Sequence, residues 1–497
     1  MPHISEELAR KLRAAGQGHV LKFDDAGQLS ALEAQKLSKE LEGLDLERLQ
    51  HMFQVSMQAK TVDKGSIEPL EDYDLLEQCS AEDKQLWANL GFGAISQGQV
   101  CALVLSGGQG TRLGFAGAKG MYDIGLPSKK SLFQLFAERL LALEHLAAKQ
   151  YPARLRSEIE IPFLVMTSQM NHDTTVEFFR EHDFFGLNES QMFFFPQGTL
   201  PCFTTDGKLI LENAYKLATA SDGNGGVYIA LKSSGALAQL QTRGVKYLHV
   251  FSVDNALCKV ADPTFIGYCI DKGADCGNKV VWKTRPDDCV GVLAKRNARF
   301  CVIEYSEIDR EMSERVDSDT GKLVFGAANI CNHFYTIDFL VRVVLPASNT
   351  EYHVAYKKVP TADDTGATYI PTSNSGIKLE SFIFDVFPLS SRMAVLSVPR
   401  ETEFAPVKNP PGNPLDSPDS ARQMMHNEGK AWIFAAATAT LPATEADRFV
   451  QEMLDKSGYI EISPLVSYSG EGLEAGVKSL MEGPPQKIIR LELNSVP

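Results

Sequence analysis

The run Val100–Gly114, V-C-A-L-V-L-S-G-G-Q-G-T-R-L-G, constrains this chain more than any other stretch. Its first six residues are apolar and partly β-branched, the pattern of a strand buried on both faces. They lead straight into Gly107, Gly108 and Gly110, where backbone without a Cβ can turn sharply and approach a ligand closely. Amides oriented in such a loop suit phosphate oxygens, and Arg112 adds a fixed cation with a forked donor geometry. Taken alone, the same residues also describe a plain turn between strand and helix. Spacing excludes two familiar phosphate loops. One ends in Gly-Lys-Ser/Thr, whereas Gly110 is followed by Thr111 and Arg112. The other needs a third glycine three residues after the second and a helix at once; Gly114 comes one residue late, and the next helical run begins near Ser131.

At 497 residues the chain is too long for one small core, and two or three domains are expected. A composition of 44% hydrophobic and 23% charged residues suits a soluble globular enzyme. The net charge of −14 argues against nucleic acid, which favours basic faces. A polyanionic ligand would then need local cations, and Arg112, Lys119, Lys378 and Lys408 are the candidates. Nine cysteines without a C-x-x-C pair or other short spacing indicate neither a zinc site nor a disulfide framework, and they fit a reducing cytosol. The amino terminus has no apolar signal core, and no segment approaches the ~20 apolar residues of a membrane helix. A cytoplasmic protein with no membrane partner is expected.

Residues 4–14, 29–43 and 45–58 show apolar positions at helical spacing, so 1–98 reads as a mainly helical N-terminal domain. From Val100 to Lys408, strand-like runs alternate with helical ones: Ile159–Thr167, Met192–Phe195, Val245–Val253, Lys279–Trp282 and Arg299–Glu304. Such alternation implies an α/β domain, 99–409, with a mostly parallel sheet covered by helices on both faces. Ligands of that architecture sit beyond the carboxyl ends of the strands. Lys408-Asn-Pro-Pro-Gly-Asn-Pro414 is the clearest break, leaving 410–497 as a small, partly β C-terminal domain.

Lys119 lies among glycines in A-K-G-M-Y-D-I-G-L-P-S, Ala118–Ser128, and a helical run with Ser131 placed to cap it follows. With L-S-G-G-Q-G-T-R-L-G and K-G-M-Y-D-I-G-L-P-S together, the chain resembles the eukaryotic-type UDP-N-acetylglucosamine (UDP-N-acetylhexosamine) pyrophosphorylases. The likeness runs nearly end to end, taking in A-G-Q-G-H-V-L-K-F near the amino terminus and Leu465–Leu473 near the other end. It implies a central Rossmann-like nucleotidyltransferase domain. Three positions depart from the family's usual residues: Ser106 for alanine, Ala118 for proline and Ala328 for glycine.

Asp254 ends the apolar run Lys246–Val253, where an acid either caps the following turn or holds a hard divalent cation. The resemblance implies the second role, with Mg2+ or Mn2+. It also implies that Leu105, Gly107, Gly108 and Gly223 meet the nucleotide and that Gln197 reads the uracil ring, whose imide edge suits an uncharged amide. Asn224, Glu304, Asn329, Phe382, Phe384 and Lys408 fall at positions that contact the acetamido sugar or its phosphate. Arg112, Lys119 and Lys378 fall at positions that act on the phosphates. From the residues alone, Phe382 and Phe384 read equally well as core, and His333 reads as a structural histidine.

The implied reaction is reversible: UTP and N-acetylglucosamine 1-phosphate give UDP-N-acetylglucosamine and pyrophosphate. A rival within the class is a broad-specificity enzyme that takes N-acetylgalactosamine 1-phosphate or glucose 1-phosphate. A rival outside it is a nucleotide-sugar-binding protein without turnover. The sequence leaves oligomeric state open.

Overall fold

A computed structural model describes residues 3–59, 67–305, 307–347, 352–482 and 489–491. The chain divides into two compact units, each assembled from separated segments. One comprises Met1–Gly65, Gln197–Ala230 and Val344–Val386; the other comprises Ser66–Pro196, Leu231–Val343 and Phe387–Pro497.

The larger unit is built on an 11-stranded sheet. Its main path uses β1 (Asp74–Leu75), β2 (Val100–Leu105), β3 (Phe163–Thr167), β4 (Met192–Pro196), β5 (Tyr247–Ser252), β6 (Cys276–Trp282), β7 (Ala327–Thr336) and β8 (Met393–Ser397). The spatial order is β1-β8-β6-β7-β5-β2-β3-β4. Strands β5, β2, β3 and β4 run parallel, as do β6, β8 and β1. The insertion β7 runs antiparallel to both neighbours, β5 and β6. The result is the mixed, mostly parallel α/β sheet that the alternating pattern implies. Every residue of β2 is buried, as its unbroken apolar run requires. The helix Leu132–Gln150 begins where Ser131 accepts a hydrogen bond from the Gln134 amide at 3.2 Å, and its leucine and phenylalanine face joins the core beneath β2.

This sheet fixes one functional edge. β2 and β5 are in register from Tyr247 opposite Val100 to Ser252 opposite Leu105, so Ser106 and Asp254 leave the sheet at the same side. Because β7 is antiparallel, its first residues, Ala327–Asn329, return to that edge.

In the smaller unit the expected N-terminal helices appear as Glu6–Ala14, Ala31–Glu42 and Leu46–Ala59. Their apolar faces, including Leu12, Leu37 and Leu41, close on Phe203, Leu211, Ile377 and Leu379. Near the carboxyl end, helices Pro418–Thr438, Ala443–Ser457 and Glu474–Glu482 share a core of their own around Ile433, Val450 and Val477. The apolar run Trp432–Ala437 lies inside the first of these helices, whose alanines favour it, and Ile460–Ile462 pairs with Ile489–Leu491.

Candidate active site

After β2 the chain forms the glycine loop and then a short helical turn at Thr111–Leu113, closed by Gly114 in the left-handed region at φ +72°. The loop folds back on the segment that follows. Gln109 pairs with Ala118, the Gly110 amide donates to Gly117 O at 3.0 Å, and the Lys119 amide donates to Gly108 O at 3.2 Å. The two motifs thus form one antiparallel ladder, and Lys119 leaves it beside the mouth of β2. Arg112 is exposed on the short turn.

The Lys119 ammonium lies 4.0 Å from Asp254 Oδ2, both side chains being mostly buried. Burial pushes the Lys119 pKa down. Asp254 opposes that shift, and the like charges of Lys408 and Arg112 add to it. Three cations and one carboxylate therefore share a single electrostatic neighbourhood. Asp254 and Lys408 are also tied through the backbone: the Val407 amide donates to Asp254 O at 2.9 Å, and Asn255 pairs with Pro406.

The edge also carries two sugar-position residues. The Asn329 amide donates to Gly291 O at 2.9 Å, and the Glu304 carboxylate packs against Gly291. Cys331, two residues on, has φ +52°; burial pushes its thiol up to about 12, with Asp254 adding to the shift. His333 is fully buried with Nδ1 2.7 Å from Asn278 Oδ1, and burial lowers its pKa to about 3, so it is a structural histidine as expected.

The remaining expected site residues belong to the smaller unit. Gln197 is buried and its amide donates to Ser221 Oγ, to which the Gly223 amide also donates at 3.2 Å. Gly223 has φ +87°, and a Cβ there would overlap the Ser381 backbone. The Gly225 amide donates to Ser381 O at 2.9 Å. Asn224 Oδ1 accepts the Ile383 amide at 2.9 Å, which turns its NH2 end away as a donor. Phe382 and Phe384 stack at 5.1 Å between centroids, Phe382 half-buried and Phe384 buried. Lys378 stands on the strand Gly376–Glu380 beside Cys202, whose thiol burial raises to about 11 while Lys378 opposes the shift.

The structure thus brings Arg112, Lys119, Asp254 and Lys408 together with the loop Leu105–Gly110, and gathers Gln197, Gly223, Asn224, Phe382 and Phe384 around one loop and turn. It also adds residues that the motifs left unmarked. Asn255 Nδ2 donates to Glu403 O at 2.7 Å, and its Oδ1 accepts the Ala405 amide at 2.9 Å. Glu403 in turn meets the fully buried Lys279 at 2.9 Å, which also meets Asp262 at 2.6 Å. The signal in sequence was faint: Lys279 is a lone lysine in the apolar run of β6, and such a charge requires partners.

Among the described residues there is no group of three or more His, Cys, Asp or Glu side chains placed for a metal ion. A lone carboxylate surrounded by phosphate-seeking cations fits a hard divalent ion that arrives with its phosphate ligands, not an all-protein cage. Nor is any helix among the described residues long and apolar enough to cross a membrane.

A strand, a glycine loop laddered to a lysine, and an aspartate at the neighbouring strand end define a nucleotidyltransferase-type site on a mixed α/β sheet. The chain belongs to the UTP--glucose-1-phosphate uridylyltransferase family, whose model matches residues 46–412. Within it, the chain is 41% identical over 483 residues to UDP-N-acetylglucosamine diphosphorylase 2 of Arabidopsis thaliana, covering 95% of this chain and 91% of that one. It is 38% identical to the UDP-N-acetylglucosamine pyrophosphorylase of Saccharomyces cerevisiae, covering 92% and 94%. The solved uridine diphosphate N-acetylglucosamine pyrophosphorylase of Trypanosoma brucei superposes with a TM-score of 0.84 at 32% identity, covering 98% of this chain and 97% of that one.

Proposed function

We propose that this chain is a uridylyltransferase that makes UDP-N-acetylglucosamine and pyrophosphate from UTP and N-acetylglucosamine 1-phosphate, and runs the reaction in reverse. The observation that carries the assignment of roles is the ladder joining Gly108 to Lys119, with Asp254 facing the lysine.

A phosphate oxygen of the sugar phosphate attacks the α-phosphorus of UTP in line. The new P–O bond forms as the bond to the bridging β-phosphate oxygen breaks, and that electron pair leaves with pyrophosphate. A phosphate monoester dianion is already nucleophilic, so no residue has to take a proton. Catalysis is then positioning and charge stabilisation. The amides of Gly107 and Gly108, with Arg112 and Lys119, hold the triphosphate, and Lys119 faces the charge that develops on it. Lys378 and Lys408 serve the phosphates from their own segments. Leu105, Gln197 and Gly223 recognise the uridine. Asn224, Glu304, Asn329, Phe382 and Phe384 recognise the acetamido sugar, with Asn224 offering its NH2 to the acetyl oxygen.

Asp254 would hold Mg2+ or Mn2+, which when bound supplies positive charge that offsets the phosphates. We place the reaction in the cytoplasm, where the nine free thiols stay reduced. Mass spectrometry of the products of UTP, Mg2+ and N-acetylglucosamine 1-phosphate tests the proposal. UDP-N-acetylglucosamine is expected, and no UDP-sugar from any sugar phosphate would contradict it.

A further inference from the structure

Phe382 and Phe384 form an aromatic pair, and a third ring extends it. His353, at the start of the strand His353–Lys357, has its ring centroid 4.5 Å from that of Phe382, at an interplanar angle of 43°. The rings of His353, Phe382 and Phe384 are therefore continuous. His353 Nε2 faces Asp385 Oδ1 at 2.9 Å. A carboxylate only accepts, so Nε2 carries the proton. The other oxygen of Asp385 accepts the Phe382 amide at 2.7 Å. One carboxylate thus fixes both the imidazole and the start of the turn that bears the two phenylalanines. The next amide in that turn, Ile383, is the one that orients Asn224.

The His353 side chain is 41% exposed and that of Asp385 is 27% exposed, so both are within reach of a ligand from solvent. A pair as open to water as this one contributes little to stability. What it does supply is orientation: the imidazole cannot swing away from Phe382 without losing Asp385.

We infer that His353 is a specificity-determining residue: its ring is the outer end of the wall that receives the 2-acylamino group, held at its tilt by Asp385. The inference rests on the role assigned above to Phe382, Phe384 and Asn224. The test compares kcat/KM for N-acetylglucosamine 1-phosphate and glucose 1-phosphate in the wild type, His353→Ala and His353→Gln. The glutamine still donates to Asp385 and so protects the turn if the alanine variant folds poorly.

The wild type should prefer the acetamido sugar. Both variants should lower that preference at least tenfold, through a raised KM for the acetamido sugar, with the KM for UTP within about twofold of the wild type. An unchanged preference in folded His353→Gln overturns the role of His353. A wild type that makes UDP-sugars without preferring the acetamido sugar overturns the assignment of the wall, and this inference with it.

Discussion

The Lys119 amide donates to the Gly108 carbonyl at 3.2 Å, so a backbone bond joins the lysine's segment to the glycine loop. The bond is backbone to backbone, and from it the lysine's side chain reaches to 4.0 Å from Asp254 Oδ2. Lys119→Ala should therefore leave the ladder and the melting temperature intact while lowering turnover on the order of 10²–10³, the range for removing one charge-stabilising donor. Steady-state rates beside a melting curve check this, and near-normal turnover would remove Lys119 from the chemistry.

Lys279 is fully buried between Asp262 and Glu403. Lys279→Met leaves two carboxylates facing each other away from water, with Lys259, 3.3 Å from Glu403, left to offset them. Removing one partner of a buried ion pair costs about 3–5 kcal/mol. Urea unfolding should show a loss of that size. A loss under about 1 kcal/mol would mean that these carboxylates take up protons at little cost.

Glu428 supplies a pH dependence of definite sign. Burial pushes its carboxyl from 4.5 up to about 7, with Lys259 and Arg139 opposing the shift. Between these values the folded chain binds the proton that the unfolded chain releases, so stability is present at low pH and is lost as pH rises through 7. Glu428→Gln removes this dependence. Its stability relative to the wild type should rise by on the order of 2 kcal/mol between pH 5 and pH 8. His249 and His333, lowered to about 4 and about 3 by burial, lose stability as pH falls from 6.5; they are common to both proteins and cancel in the difference. A difference that is flat with pH contradicts the assignment.

The Ser106 hydroxyl is buried and has no hydrogen-bond partner among the described residues. Ser106→Ala, the residue usual in the resembling family, should stabilise the chain by about 1 kcal/mol, because an unmet polar group is removed and nothing else is lost. Thermal melting reads the shift, and a destabilised variant would show that the hydroxyl is satisfied in solution.

Local pattern carried much of this molecule in its sequence. The apolar run of β2 and the Ser131 cap appear where their residues place them. The N-terminal helices at 4–14, 29–43 and 45–58 likewise form, because each has one apolar stripe. What closes those stripes was not legible: Leu12 and Leu37 share a core with Phe203 and Ile377, and no pattern along the chain announces partners that distant. The same holds for the site. Gly108 and Lys119 are each visible as motif residues, but their hydrogen bond depends on how the intervening turn folds. Asn255 stands beside Asp254 in the sequence, and its two bonds to Glu403 and Ala405 emerge only when the segments meet. His353 lacked any signal, since its partner Asp385 lies on another element.

The most direct test is the rate of pyrophosphate release from UTP and Mg2+ with N-acetylglucosamine 1-phosphate, N-acetylgalactosamine 1-phosphate and glucose 1-phosphate in parallel. Release with N-acetylglucosamine 1-phosphate and little with glucose 1-phosphate is predicted, because the roles proposed for Asn224 and the phenylalanine wall require an acyl group. Comparable rates with glucose 1-phosphate would contradict the acetamido pocket, and no release with any of the three would contradict the uridylyltransferase itself.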